Sequence, residues 1–192
     1  MKALIIFLVL IISSCSDLYI VPESHYIIPE GKHSSELANG SLGDKLRSIK
    51  QDRLEFIARF DASARYDLSN DNQHDINKLM GFSEANQHHQ EGSIRFGWRY
   101  LKDDDRIEIL AYAYKNGQRF YERIAEVEIG ESLIYRIELR PSSYYLEVDG
   151  VSLVIDRGVK QQKGLYYMLY PYFGGDEKAP HDIHIYVKEL FR

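Results

Sequence analysis

From Arg53 onward, hydrophobic and polar residues alternate with a period of two. Leu54, Phe56, Ala58 and Phe60 fall on one face of an extended segment, with Arg53, Glu55, Ile57 and Arg59 on the other. Ile94, Phe96, Trp98 and Tyr100 alternate in the same way with Ser93, Arg95, Gly97 and Arg99, and Ile183, Ile185 and Val187 with His184, Tyr186 and Lys188. This pattern predicts half-buried strands. Further strands are predicted over 76–82, 106–115, 118–129, 133–139, 144–148, 151–156 and 165–173. Asn116-Gly117 and Asp149-Gly150 each sit between two such runs, and both dipeptides favour the two-residue hairpin turn with positive φ. With no heptads, no internal repeat and no long helical pattern, the outcome is an all-β sandwich of two antiparallel sheets.

The alternation does not extend to the N-terminus. Residues 16–50 are turn-rich, with Pro22, Pro29, Gly31, Gly40 and Gly43 among Ser, Asn and charges. They read as a tether, with a short strand at Tyr26-Ile27-Ile28 and a turn of helix within 44–52. Ahead of them, Lys2 and the apolar run Ala3–Ile12 have the layout of an export signal and are too short for a transmembrane helix, which needs roughly 20 apolar residues. Ile12-Ser13-Ser14-Cys15 resembles the lipobox of bacterial lipoproteins. The resemblance implies lipid on Cys15, the only cysteine of the chain, and anchorage to a membrane of the cell envelope. Ser16, rather than Asp, after the cysteine implies the outer membrane. An ordinary secretory signal, or a buried helix that happens to contain a cysteine, is the other reading. The expected organisation is signal peptide 1–14, lipidated Cys and tether 15–50, and sandwich 51–192, with no thiol left to form a disulfide.

Residues 53–191 resemble the concanavalin A-like jelly roll of lectins, glucanases and some polysaccharide lyases. The segments that carry the resemblance are Asp75-Ile-Asn-Lys-Leu-Met-Gly-Phe82, His88-His89, Ser93-Ile-Arg-Phe-Gly-Trp-Arg-Tyr100, Leu169-Tyr-Pro-Tyr-Phe-Gly-Gly-Asp176 and Ala179-Pro-His-Asp-Ile183. They are similar to uncharacterised lipoproteins of Gram-negative bacteria. The resemblance implies a saccharide groove on the concave sheet, but attaches no activity to it.

A formal net charge of −5 over 192 residues disfavours a nucleic-acid partner, which calls for a basic face. The 15 tyrosines suit both strands and surfaces that stack on sugar rings. If Ile94, Phe96 and Trp98 face the core, Arg95 and Arg99 face outward. If Ile107, Ile109, Ala111 and Ala113 face the core, Glu108, Tyr112 and Tyr114 lie opposite. On 165–173, inward Leu165, Leu169 and Phe173 leave Tyr166, Met168, Tyr170 and Tyr172 outside. Arg95, Arg99, Tyr112, Tyr114, Tyr170 and Tyr172 are therefore the candidate ligand-binding residues for a carbohydrate or cell-envelope polymer. The competing reading is that tyrosines simply cover a sheet, since a one-residue slip exchanges its faces.

Catalysis has weaker support. The three alternating acids of concanavalin-like glucanases, Glu-x-Asp-x-x-Glu, are absent, although Glu126 and Glu128 alternate. A lyase acting on uronate polymers needs a cation for the carboxylate and a group that moves protons, roles open to Arg95 or Arg99 with His88, His89 or Tyr170. Binding without catalysis is the leading expectation, with a lyase ahead of a hydrolase as the enzymatic alternative. A structural or protein-binding envelope lipoprotein is the third. No cofactor is expected. The His pairs lack zinc spacing, and Asp71, Asn72 and Asp75, or Asp103–Asp105, offer oxygen of the kind calcium takes without matching a calcium loop. The loop holding Gly174, Gly175, His181 and Asp182 reads either as a site wall or as a structural corner.

Overall fold

The computed structural model describes residues 22–40, 47–49, 52–158 and 163–190. They form two packed antiparallel sheets, and the helical content among them is two short 3₁₀ turns, Ala62–Ala64 and Asp71–His74. The strands, in chain order, are β1 (Ser24–Ile28), β2 (Glu36–Leu37), β3 (Arg53–Phe60), β4 (Asn77–Ser83), β5 (Gly92–Leu101), β6 (Arg106–Lys115) and β7 (Gln118–Glu128). They continue as β8 (Leu133–Leu139), β9 (Ser143–Val148), β10 (Val151–Asp156), β11 (Met168–Leu169) and β12 (Ile183–Glu189). The seven-stranded sheet runs β10-β9-β8-β3-β12-β1-β2, and the five-stranded sheet β11-β4-β5-β6-β7.

The alternation does what the pattern predicts. Leu54, Phe56, Ala58, Phe60, Ile137, Leu146, Ile183, Ile185 and Val187 from the larger sheet meet Ile94, Phe96, Trp98, Ile107, Ile109, Ala111 and Ala113 from the smaller one in a single core. Aromatic rings interlock across the layers: Phe56 meets Phe96 edge-on at 6.0 Å and Phe60 lies 5.0 Å from Trp98. Both hairpin dipeptides adopt positive φ, 52° and 77° at Asn116-Gly117 and 44° and 88° at Asp149-Gly150. These turns join β6 to β7 and β9 to β10.

Three features depart from the expectation. Ser24–Leu37, read as tether with one short strand, contributes two strands to the larger sheet: β1 pairs with β12 along its whole length and with β2 on its other side. Tyr26 and Ile28 are buried there, because alternate side chains of β1 point into the core. The sandwich thus begins at Ser24. Of the turn of helix expected within 44–52, only part lies among the described residues, and there Ser48 bridges Tyr167 instead.

The run 165–173 is not a continuous strand. Its ladder is confined to Met168–Leu169, and Pro171, which has no N–H to donate, interrupts it. The expected faces are consequently exchanged in its first half. Leu165 is exposed whereas Tyr166 and Met168 are buried, since Met168 pairs with Phe82 and shares its core face.

The third departure is a bulge in β4. Lys78 pairs with Gly97 and Gly81 with Arg95, so Leu79 and Met80 together oppose Phe96. Both enter the core, and Lys78 and Gly81 are turned to the opposite, outer face.

Candidate functional site

The outer face of the five-stranded sheet is built row by row from its register, because directly paired residues of antiparallel strands share a face. One row runs Leu169, Gly81, Arg95, Tyr112, Tyr121, and the next Ser83, Ser93, Tyr114, Arg119. Gly81 is required where it stands. A Cβ there would lie 2.3 Å from the Arg95 Cβ and 2.1 Å from the Ile94 carbonyl oxygen, so only glycine lets β5 and its arginine approach this closely.

Arg95 is the centre of the arrangement. It is only 7% exposed, its Nε has no hydrogen-bond partner among the described residues, and its guanidinium lies 6.0 Å from the Tyr112 ring centroid. Burial pulls its pKa down to about 10, partly offset by Tyr112, Tyr114 and Tyr172, so the guanidinium remains charged at neutral pH. Lys78 lies beside it. Its Nζ donates to the Gly174 carbonyl at 2.6 Å and sits 5.1 Å from the Tyr112 ring and 5.6 Å from that of Tyr172. Burial, then the positive charge of Arg95, brings the Lys78 amine down to about 8, with Asp75 opposing and Arg119 adding to the effect. Burial and the neighbouring Tyr114 push the Tyr112 phenol up to about 12, so it is a hydrogen-bond donor at any ordinary pH.

A cavity of about 340 Å³ opens next to Arg95. Its walls are Ser34, Ser35 and Leu37 from the segment leading into β2, Leu169 to Tyr172 after β11, and His89 from the turn before β5. The Ser35 N–H donates to the Pro171 carbonyl and the Phe173 N–H to that of His33, which lays the N-terminal segment along the cavity rim. His33 stacks on Tyr172 with centroids 5.2 Å apart. Burial, then Arg95, lowers the His89 pKa, which favours the neutral imidazole.

Arg95, Tyr112, Tyr114 and Tyr172 therefore come together. Arg99 and Tyr170 do not join them. Arg99 shares the outer face, but its Nε donates to Glu108 at 2.5 Å and its Nη1 to the His74 carbonyl at 3.0 Å, so it is tied to Glu108 and to the turn before β4 instead of to the cavity. Tyr170 follows Leu169, which faces outward, and so turns toward the core. Its ring is 6.0 Å from that of Tyr26, and it reaches the cavity as a wall.

Lys78, Arg119 and Tyr121 are members of this surface that the pattern of residues does not assign to it, whereas His89, considered beside Arg95 as a proton-moving group, does line the cavity. Strict alternation places Lys78 with Phe82, and only the bulge separates them. Arg119 and Tyr121 were legible in principle, once Asn116-Gly117 fixes which residues of β7 oppose Tyr114 and Tyr112.

The same face carries Glu108 opposite Glu126, a cross-strand carboxylate pair. Both are bound by arginine: Glu108 by Arg99, and Glu126 by Arg123 at 2.6 Å. Hydrolysis of a glycoside calls for two carboxylates free to act on substrate, and neither of these is free. Around Arg95 the available groups are cations, phenols and an imidazole. The corner after β11 is structural: Gly174, at φ 61°, donates its N–H to the Asn77 side chain at 2.6 Å, His181 bonds the Ser63 carbonyl, and Asp182 accepts from the Glu30 N–H. Of the acids considered for calcium, Asp105 is taken by Arg65 and Tyr100. Among the described residues no three His, Cys, Asp or Glu side chains are grouped to hold a metal ion. Cys15 lies outside the described residues.

No protein-family model matches the chain, and no curated protein does. Solved structures do. A mixed-linkage-glucan GH16 enzyme of Bacteroides ovatus, in complex with a product, is similar with a TM-score of 0.50 at 11% identity over 88% of this chain and 81% of its own. The alginate lyase AlyC3 gives a TM-score of 0.53 at 9% identity over 88% and 89%. The catalytic domain of an endo-1,3-beta-glucanase (laminarinase) from Thermotoga petrophila gives 0.50 at 15% identity over 86% and 74%. The fold is the concanavalin A-like jelly roll.

Proposed function

We propose that the chain binds a glycan or polysaccharide on the outer face of its five-stranded sheet, without hydrolysing it. The observation that carries this reading is Arg95: a nearly buried guanidinium with an unpartnered Nε, set among Tyr112, Tyr114 and Tyr172 at the edge of a cavity. Burying a polar group without a partner costs free energy that a bound oxygen ligand recovers. Aromatic faces beside it supply contact area for sugar rings. The similar folds lend support, since all three are named as acting on or holding glycans.

An array of plant, algal and bacterial polysaccharides probed with the full chain tests the reading. Arg95→Met keeps the length of the side chain and removes its donors, and should weaken binding about tenfold or more, as for a buried anchor. A chain that binds no polysaccharide, or an Arg95→Met variant that binds as tightly as the parent, would refute it.

Location belongs to the same proposal. With lipid on Cys15 the domain is held at a membrane of the cell envelope, by the lipobox pattern Ile12-Ser13-Ser14-Cys15 and its preceding apolar run. One acyl chain anchors only reversibly, and two or more make attachment firm. Cys15→Ser should leave the precursor unprocessed or release the protein from the membrane fraction. Unchanged fractionation and gel mobility would rule the anchor out.

A further inference from the structure

The formal charge of the chain is −5, yet the cavity side of the five-stranded sheet presents cations that the protein leaves unneutralised. Lys78, Arg95 and Arg119 have no carboxylate partner among the described residues, whereas Arg99, Arg106, Arg123 and Arg136 all do. The three sense one another. Both Arg95 and Arg119 disfavour the charged form of Lys78, and the opposing acid is Asp75. Tyr112 lies between them, with Arg95 and Lys78 near its ring and Arg119 on the adjacent strand beside Tyr121. Like charges held together in a partly buried place repel, and Asp75 and the tyrosines offset them only in part. An anion from outside would offset them further.

We infer that the ligand of this surface is an anionic polysaccharide whose carboxylate or sulfate groups are met at two places, one at Arg95 and Lys78 and one at Arg119. The inference rests on the glycan-binding reading and narrows its ligand. The two places are separate. Arg119 stands two strands and two residues from Arg95, about 12 Å between Cα atoms for strands about 4.8 Å apart and a rise of about 3.3 Å per residue. A chain of acidic sugars presents several acidic groups along this span, so it is expected to bind and a single acidic sugar to bind poorly. At the first place the arginine fork offers paired hydrogen bonds to an anion, with Lys78 as a point charge beside it. Arg119 is exposed and contributes mainly by attraction, which salt screens.

Lys78 also couples binding to pH. Facing its amine are Arg95 and Arg119 from β5 and β7, Tyr112 from β6, Tyr172 and the Gly174 carbonyl after β11, and Asp75 before β4. An anion bound beside the amine raises its pKa above the value of about 8 in the free protein. Affinity is then full where the amine is already charged, below about pH 8, and falls as pH rises through that value, because binding must take up a proton.

The experiment measures binding of the full chain to polygalacturonate, to its methyl ester, and to dextran sulfate and dextran. The two anionic polymers distinguish carboxylate from sulfate, and the two neutral ones isolate the charge. The expected result is binding to at least one anionic polymer, at least about tenfold tighter than to its neutral counterpart, weakening with added salt and absent for monomeric galacturonate. Affinity should fall roughly tenfold between about pH 7 and about pH 9.5, and calorimetry in buffers of different ionisation heat should show proton uptake above about pH 8. Lys78→Met should remove that pH dependence. Because Lys78 is buried and holds Gly174, the exposed Arg119→Gln is the second variant, and should weaken polymer binding severalfold with folding intact. Neutral polymers bound as tightly as anionic ones, with Arg95→Met still damaging, would overturn the inference and leave the glycan-binding reading standing. Failure of both anionic polymers to bind would overturn the inference, and only failure across the whole polysaccharide array would overturn the glycan-binding reading with it.

Discussion

A chain begun at residue 50 should fail to fold cooperatively, whereas one begun at residue 22 should melt like the parent. The first cut looks natural from sequence, since alternation starts at Arg53. It removes β1 and β2, and with β1 the edge-side partner of β12. Fully burying a large apolar side chain stabilises by roughly 1.5–3 kcal/mol, so Tyr26 and Ile28 together contribute roughly 3–6 kcal/mol. That compares with a total of roughly 5–15 kcal/mol for an ordinary domain. The cut also bares the edge of β12, whose N–H and C=O groups then lack their ladder, and takes away Ser34, Ser35 and Leu37 from the cavity wall. Thermal melts followed by circular dichroism, with a dye that reports exposed apolar surface, compare the three chains. A cooperative transition at the parental temperature in the chain begun at 50 would show β1 and β2 to be appendages.

Why that segment misleads is a matter of signal length. Two or three alternations, as in Ser24–Ile28 beside Pro22 and Pro29, are too few to stand out from a turn-rich background. The long strands are different. On β3, β5 and β6, four alternations leave little freedom, and from β6 to β7 and β9 to β10 register follows from the Asn-Gly and Asp-Gly turns. Hence the sequence alone sets Arg95, Tyr112 and Tyr114 on one face. The rest of the surface depends on interruptions of the period. The β4 bulge puts Leu79 and Met80 side by side in the core and so frees Lys78 for the outer face, and a bulge has no fixed residue signature. Pro171 breaks the run after β11, so each short piece is oriented by what it packs on and not by its neighbours' parity. That is why Tyr172 reaches Lys78 while Tyr170 turns toward Tyr26. Arg99 shows the other limit. Parity gives the face of a side chain but not whether Glu108 on the next strand has already engaged it.

Arg157→Met should destabilise the fold by about 3–5 kcal/mol, the effect of stranding one member of a buried ion pair. For a chain of this size that corresponds to a fall in Tm of roughly 6–20 °C. Arg157 and Glu84 are 1% and 2% exposed at their side chains and meet through two bonds, Nε to Oε1 at 2.5 Å and Nη2 to Oε2 at 2.7 Å. Arg157 also donates to the Arg140 carbonyl and to the Tyr166 hydroxyl, and Tyr144 donates its hydroxyl to Glu84. Alone, Arg157→Met leaves a carboxylate in the core with one phenol for company. Adding Glu84→Leu removes that uncompensated charge, so the double variant should be more stable than the single one. Adding Tyr144→Phe then removes the hydroxyl left without its acceptor, and should recover more. This order, the reverse of additive damage, is the signature of a desolvated pair; denaturant unfolding of the three variants reads it. Equal or growing losses at each step would mean that the groups contribute through packing alone. The pair also bears on the site. Tyr166 lies two residues before β11, whose Leu169 lies beside Gly81 in the row that holds Arg95, so a loosened Tyr166 should let the cavity wall move and weaken polysaccharide binding below the melting range.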